Sequence, residues 1–324
     1  MNFLHGIATG TFEETAIRDG FGHGLLELAD ANPKVVALTA DLAESTRVQD
    51  FAEKYPERFF DVGVAEQNLI GIAAGLAHEG FIPFATSYAA FSPGRTWDQI
   101  RVSVAYSGAN VKIIGCHAGL SVGRDGATHQ ALEDVALMRV VPNLTVVVPC
   151  DAEEARKATL ALGKHVGPAY LRLGREKVPT LTSKKTPFVL GKALTIAPGS
   201  DVTVIANGPL VFQAMKAAQQ MQSKYSLRVI NLHTVKPLDQ EVIIDAAKET
   251  GAIVTAEDHQ AAGGLGSAVS ELVAKTCPVP VIRVGVQDSF GESGSVDELM
   301  EHYGLTTEKI IKAVEAAIKL KHAR

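Results

Sequence analysis

The densest group of chemically active side chains lies in residues 115–134, GCHAGLSVGRDGATHQALED. The glycines in this segment allow tight backbone turns, while His117, Asp125 and His129 supply groups that exchange protons or hydrogen-bond a ligand. Each histidine taken singly is more often a structural residue. Packing alone does not readily explain so many glycines and histidines together, so we expect this segment to form a loop that faces a ligand.

Glu66 lies in a second candidate segment, residues 61–80, DVGVAEQNLIGIAAGLAHEG. A helix here would place Glu66 on an apolar face, where an ionised carboxylate is costly and the group would act as a proton donor or exchanger near neutrality. Alternatively, an acidic residue at this place stabilises the N-terminus of the helix. Both interpretations stay open. The apolar residues that share this face at helical spacing are Ile70, Ala73, Ala74 and Ala77.

Basic residues at two other places suit an anionic ligand. Arg18 is expected on a helix that begins near Thr11, and Arg175 follows the run YLRLG. Either arginine alone is more often a solvated charge, but together at one sheet edge their forked donors would hold a phosphate. Ser45, after ALTADLAES, is expected near a helix start, where its hydroxyl caps the helix or binds an anion.

Three other motifs point to different chemistry and are disfavoured. Residues 119–123 match the G-x-S-x-G pattern of serine hydrolases, but Gly126 stands where the required helix would start. A metal site on Cys116, His117 and His129 is weak, because adjacent strand residues point to opposite faces. Residues 262–266, AGGLG, depart from the dinucleotide pattern G-x-G-x-x-G at Val269 and fit a helix start with close backbone packing.

Composition excludes several broad classes of protein. The chain has 324 residues and a net charge of −5 without a basic cluster, so we expect no nucleic-acid partner and no membrane partner. Its three widely spaced cysteines describe neither a disulfide framework nor a closed zinc site. The N-terminal residues do not resemble a signal peptide, and no long apolar run occurs, so we expect a cytoplasmic protein.

Helices and strands must position the candidate residues. In the sequence, eight apolar runs rich in β-branched residues alternate with amphipathic stretches. Strands this apolar are buried on both faces, which predicts an α/β fold with doubly wound, mainly parallel sheets covered by helices. Ligands in such sheets bind beyond the carboxyl ends of the strands, where several candidate residues lie. The predicted strands are residues 34–40, 81–88, 111–116, 144–149, 201–207, 226–232, 252–258 and 279–286.

Residues 172–200 interrupt this alternation. They contain Pro179, Pro187 and Pro198 together with a polar SKK segment. Proline and polar clusters of this kind mark a connection between domains. We therefore predict two domains, residues 1–185 and residues 195–324.

Taken in order, several segments resemble the C-terminal half of transketolase, a thiamine-diphosphate enzyme, and the likeness spans essentially all 324 residues. The resemblance implies a pyrimidine-binding domain followed by the transketolase C-terminal domain. It also implies transfer of a two-carbon ketol unit from a ketose phosphate to an aldose phosphate. The segments are TADLAEST, GVAEQN, FATSYAAF, WDQIR, CHAGLSVGRDGATHQALED, PCDAEEA, LRLGREKVP and NLHTVKPLD.

The resemblance further implies a partner subunit. Full-length transketolases bind Mg²⁺ and the cofactor's diphosphate in an N-terminal domain with a G-D-G motif, which this sequence lacks. We therefore expect one subunit of a split transketolase, with a separate N-terminal subunit that holds the Mg²⁺ and the diphosphate. A two-plus-two heterotetramer that contains a homodimer of this chain is the expected assembly.

The resemblance assigns roles by position. Glu66 corresponds to the glutamate that hydrogen-bonds the aminopyrimidine ring nitrogen and favours the imino form of the cofactor. Tyr88 corresponds to an aromatic residue beside that ring. A second aromatic of some relatives is Ala85 here, and Phe84 is its candidate substitute. Asp41 corresponds to a residue near the cofactor. The residues that correspond to contacts with the donor sugar are His117, Asp125 and His129. Those that correspond to contacts with its phosphate are Arg18, Ser45, His129 and Arg175.

Three alternatives stay open within this resemblance. The β subunits of 2-oxo-acid dehydrogenases share the split architecture, but their corresponding loop lacks the D-G-x-T-H-Q run. Deoxyxylulose-phosphate synthase keeps that run but has an acidic residue at the position of His117, and it is normally one long chain. A non-catalytic assembly subunit is the third alternative, and such a protein would have no physical need for Glu66.

Overall fold

The structure is a computed structural model that describes residues 12–323, and it has two main β-sheets. Each of the eight predicted apolar runs contains a strand, which confirms the α/β class. The strands, in chain order, are β1 Glu14–Ala16, β2 Val35–Thr39, β3 Phe59–Asp61, β4 Ile82–Tyr88, β5 Lys112–Cys116, β6 Thr145–Val147, β7 Ala169–Arg172, β8 Lys177–Pro179, β9 Leu194–Ala197, β10 Val202–Ala206, β11 Leu227–Asn231, β12 Thr234–Lys236, β13 Ile253–Gln260 and β14 Val281–Val286.

Helices connect and cover these strands. In chain order they are α1 Ile17–Ala31, α2 Gln49–Lys54, α3 Glu66–His78, α4 Trp97–Gln99, α5 Asp134–Val140, α6 Ala152–Lys164, α7 Leu210–Met221, α8 Gln240–Thr250, α9 Leu265–Thr276, α10 Val296–His302 and α11 Thr307–His322. A π-helix over Ile100–Tyr106 continues α4, and short 3₁₀-helices occupy Pro56–Arg58 and Gly119–Asp125.

The first sheet has the strand order β12-β6-β7-β5-β4-β2-β3 and is parallel apart from β12. Both of its faces are buried, because Val35 and Ala37 of β2 pack into one core while Val36 and Leu38 pack into another. This arrangement explains why its strands read as continuous apolar runs. It also brings the carboxyl ends of β2, β4 and β5 side by side.

The second sheet has the order β14-β13-β10-β11-β9, and only β9 in it is antiparallel to its neighbour. Its two faces pack against different helices: Val202 and Val204 share a core with α7 and α11, while Ile205 shares one with α8 and α9. The second sheet is therefore also doubly wound. In residues 12–323, no helix is both long enough and apolar enough to cross a bilayer.

The helix that carries Arg18 does not begin near Thr11, as the sequence led us to expect. Thr11 lies outside the described residues, and α1 begins at Ile17. The residues just before it are extended because β1 pairs antiparallel with β8, which places Glu14 opposite Pro179. Arg18 consequently lies in the first turn of α1, close to the sheet edge.

The two halves of the chain are interlocked. β12 leaves the second half and joins the first sheet beside β6. At the end of β7, the buried Arg172 donates to the carboxylate of Asp134 at 2.8 Å and to the carbonyl oxygen of Asp258 at 2.8 Å. The crossing strand β12 and the buried hydrogen bond from Arg172 to Asp258 thus join the halves, and the division into 1–185 and 195–324 stays a prediction.

Candidate active site

The candidate residues gather at the carboxyl edge of the first sheet. Asp41 and Ser45 follow β2, Tyr88 ends β4, and His117 follows β5 directly. β4 lies between β2 and β5 in the sheet, so the parallel topology brings these positions together. Arg175 follows β7, the next neighbour of β5. The sheet edge expected from the sequence is therefore where these residues lie.

Stacked rings form the floor of the site. The ring of Tyr88 lies 3.9 Å from that of His117 with an interplanar angle of 25°, and 5.8 Å from that of Phe91 at 22°. His129 closes the group with its ring edge-on to Phe91 at 5.2 Å. The half-buried rings of Tyr88, Phe91 and His129 thus lie together beside the buried His117. Such a group of aromatic rings suits a flat heterocyclic ligand.

The imidazole of His117 is held as a neutral hydrogen-bonding group. The pKa of His117 is lowered to about 3, mainly by burial and next by the positive charge of the nearby Arg18. Nη1 of Arg18 lies 3.4 Å from Nε2 of His117, and a guanidinium can only donate, so Nε2 accepts and Nδ1 carries the proton. Nδ1 is buried and has no hydrogen-bond partner among the described residues. His117 therefore presents an unused N–H donor.

Glu66 is the first residue of α3, and its side chain is 2% exposed. The predicted apolar face is present, since Ile70, Ala73 and Ala74 are buried beside it, and Leu69 belongs to it as well. The carboxylate is also paired, because Nη1 of Arg95 donates to Oε2 at 2.8 Å. Both interpretations of Glu66 thus have a geometric basis: a buried carboxylate, and an acidic residue at a helix N-terminus.

The basic residues converge on the same edge. Nη1 of Arg18 donates to the backbone carbonyl of Ser45 at 2.7 Å, and Nη1 of Arg175 to the carboxylate of Asp125 at 3.2 Å. Burial, followed by the charge of the neighbouring Arg47, lowers the pKa of Arg18. Arg18 makes no ion pair with a carboxylate in residues 12–323, and its Nε is buried without a hydrogen-bond partner there, so it fits an anionic ligand.

Two further predicted residues, Asp41 and His129, make local contacts of their own. Asp41 is exposed with φ of 61°, and its N–H donates to the Asp61 carboxylate at 2.9 Å. His129 is half-buried, and its Nδ1 lies 2.9 Å from the hydroxyl of Thr128. Both lie on the site's edge, and their functional roles stay predictions.

The prediction that Phe84 is the second aromatic residue beside Tyr88 is wrong. Its side chain is fully buried in the core, with its ring 6.3 Å from that of Phe21. Phe91 occupies the place instead, because a turn with the Phe91 N–H bonded to the Tyr88 carbonyl at 2.9 Å folds the chain back after β4. The three-residue spacing in SYAAF is the signal that would have indicated this pair.

Sequence reasoning also missed two basic residues. Arg95 lies between Glu66 and Phe91, with its guanidinium 5.0 Å from the Phe91 ring. Arg47 is held by an ion pair of 2.6 Å to Asp19. Nothing in their spacing distinguishes either from a solvated charge, and only the fold places them at the site.

The disfavoured motifs have structural explanations. The Ser121 hydroxyl lies in a 3₁₀-helix, where it donates to the Ala118 carbonyl at 2.7 Å and accepts from the Arg175 N–H at 2.9 Å, so it braces the loop. The N–H groups of Leu265 and Gly266 at the start of α9 bind the Glu257 carboxylate at 2.7 and 2.8 Å. Residues 12–323 contain no group of three metal-ligating side chains.

Family models match nearly the whole chain in two parts. The pyrimidine-binding domain of transketolase matches residues 13–180, and the transketolase C-terminal domain matches residues 191–310. Both matches agree with the resemblance inferred from the motifs.

Individual relatives agree with these models. The chain is 44% identical over 96% of its length to a 6-deoxy-6-sulfo-D-fructose transketolase subunit from Clostridium sp., covering 97% of that protein. It is 41% identical over 94% of its length to an apulose-4-phosphate transketolase subunit from Phocaeicola vulgatus, covering 98% of it. Among solved structures, a split gene transketolase described as an inactive β4 tetramer superposes with a TM-score of 0.89 at 46% identity, over 94% of this chain and 99% of that one. The chain belongs to the transketolase family and has the pyrimidine-binding and C-terminal domains of that family.

Proposed function

We propose that this chain is the C-terminal subunit of a split transketolase, which transfers a two-carbon ketol unit from a ketose phosphate to an aldose phosphate. An N-terminal partner subunit would supply the diphosphate site and Mg²⁺ for thiamine diphosphate. Two relatives of matching length are named as transketolase subunits, which supports this division of labour. A homodimer of this chain within a two-plus-two heterotetramer is the assembly that we propose.

The residues at the sheet edge fit the pyrimidine ring of the cofactor. The observation that carries the proposal is the buried carboxylate of Glu66 near a floor of aromatic rings, Tyr88 and Phe91. A flat heteroaromatic ring stacks on such a floor, and a carboxylate hydrogen-bonds its nitrogen. When bound, thiamine diphosphate supplies the carbon centre that carries the two-carbon fragment. Glu66 would hold a proton at the ring nitrogen, with Asp41 at the rim.

The neutral imidazole of His117 suits an uncharged oxygen of the sugar better than its charged group. Its neutral imidazole with an unpartnered, buried Nδ1–H is a donor for a carbonyl or hydroxyl oxygen of the ketose. Such a preset donor gains strength where water is excluded. Asp125 and His129 would contact further hydroxyl groups.

The arginine cluster is suited to the sugar's anionic end. Arg18 and Arg175 would bind it through forked donors, with Ser45 and His129 completing the set. One relative is named for a phosphorylated sugar and another for a sulfonated one, and both of these groups are tetrahedral anions. We propose a phosphate here, and a parallel assay with a sulfonated ketose distinguishes the two.

The experiment is a ketol-transfer assay with xylulose 5-phosphate and ribose 5-phosphate in the presence of thiamine diphosphate and Mg²⁺. The isolated chain should be inactive, and a complex with its co-purified N-terminal partner should be active. Turnover by the isolated chain would contradict the split-site proposal. A complex that binds the cofactor but forms a deoxyxylulose phosphate, or decarboxylates a 2-oxo acid without ketol transfer, would favour one of the related enzymes. A complex without any activity would favour an assembly subunit.

A further inference from the structure

Glu66 has a partner that its proposed role does not explain. Its side chain is 2% exposed, whereas the Arg95 side chain that bonds its Oε2 is 51% exposed. A carboxylate buried to this extent needs compensation for its lost hydration, and here one half-exposed cation provides it. The ion pair is therefore built around the buried carboxylate and differs from a chance contact between two surface side chains.

Arg95 is held in place by three further contacts. Its backbone N–H donates to the Phe91 carbonyl at 3.1 Å, and the Gln67 side chain donates to the Arg95 carbonyl at 3.3 Å. Its guanidinium lies 5.0 Å from the Phe91 ring, within the range of a cation–π contact. Gln67 adjoins Glu66 on α3, so the helix and the loop after β4 are tied together at this point.

We propose that Arg95 is a positioning residue that fixes the Glu66 carboxylate for the pyrimidine ring of the cofactor, an inference that rests on the proposed function. By bonding Oε2, Arg95 fixes the rotation of the carboxylate and leaves Oε1 for the ring nitrogen. Arg95 thus acts through Glu66 and makes no bond to the ring itself.

The test uses the complex of this chain with its N-terminal partner and measures the dissociation constant of thiamine diphosphate, with Mg²⁺ present, by titration calorimetry. Arg95→Gln should weaken binding of thiamine diphosphate by about 3- to 10-fold, since the coupling between two charged side chains in direct contact is of this order. Arg95→Lys, which keeps the charge but loses the fork, should restore part of the affinity. Arg228→Ala, which breaks the ion pair between β11 and Glu249 of α8, is the control and should leave the affinity for thiamine diphosphate unchanged.

A double-mutant cycle separates positioning from a general structural effect. In a Glu66→Gln background, Arg95→Gln should have no further effect on cofactor binding, because its action passes through the carboxylate. An equal loss in both backgrounds, unchanged affinity in Arg95→Gln, or tighter binding would each overturn the inference. A wild-type complex that fails to bind thiamine diphosphate would instead contradict the proposed function, so the two failures are distinguishable.

Discussion

Neutral His117 should make the chain measurably sensitive to acid. Its pKa in the folded protein is about 3, against 6.5 for a free histidine. The unfolded chain therefore binds a proton below pH 6.5 that the folded chain does not accept until about pH 3. The free energy of unfolding consequently decreases as the pH is lowered through that range. Since one pKa unit corresponds to about 1.4 kcal/mol, lowering the pH from 8 to 5 should remove about 2 kcal/mol of unfolding free energy through this residue.

The matched variant is His117→Asn. The φ of His117 is 54°, and asparagine adopts such left-handed conformations more readily than most residues, so the loop backbone is preserved. Urea unfolding of both proteins at a series of pH values gives the difference between their unfolding free energies. Subtracting the difference at pH 8 removes the packing cost of the substitution. The difference should shift in favour of the variant by about 2 kcal/mol at pH 5. A difference that stays constant over this range would refute the neutral, buried state of His117.

Two further changes test other parts of the site. Arg175→Ala should raise the KM for a phosphorylated donor by about 10- to 100-fold, with less effect on kcat, because a charge-assisted bond to the anion contributes about 1.5–3 kcal/mol to binding. Steady-state kinetics of the complex measure this, and an unchanged KM would remove Arg175 from the anion site. Gly119→Ala should destabilise the chain by about 2 kcal/mol or more, since Gly119 has φ of 71° and an added Cβ would lie 1.9 Å from Oδ2 of Asp258. Thermal unfolding within a degree of wild type would contradict the close approach of these two segments.

Local apolar patterning predicted eight of the fourteen strands in residues 12–323. Buried parallel strands such as β2, Val35–Thr39, carry side chains that are buried on both faces and therefore have mainly apolar sequences. The predicted runs omit the short antiparallel strands β1, β8, β9 and β12 and also the short parallel strands β3 and β7, because pairing with distant partners makes these segments extended. Thr234–Lys236, for example, is a strand because it lies beside β6 of the other half.

The sequence predicted those placements in the candidate site that depend on a single helix or strand. Helical spacing placed Glu66 on the apolar face of α3, and the position of His117 directly after β5 placed it at the sheet edge. What could not be predicted depends on turns and on contacts between distant segments. Arg95 lies 29 residues from Glu66 along the chain, and the turn after Tyr88 selects Phe91 over Phe84.

The most direct test of the whole proposal is the ketol-transfer rate of the complex that contains Glu66→Gln. The substitution keeps the shape of the side chain and removes its negative charge, and with it the ability to hold and release a proton and the ion pair to Arg95. Turnover should fall by about 100-fold or more, the usual contribution of a positioned acid–base group, while the size of the complex stays that of wild type. Undiminished turnover in that complex would show that Glu66 serves the helix N-terminus alone.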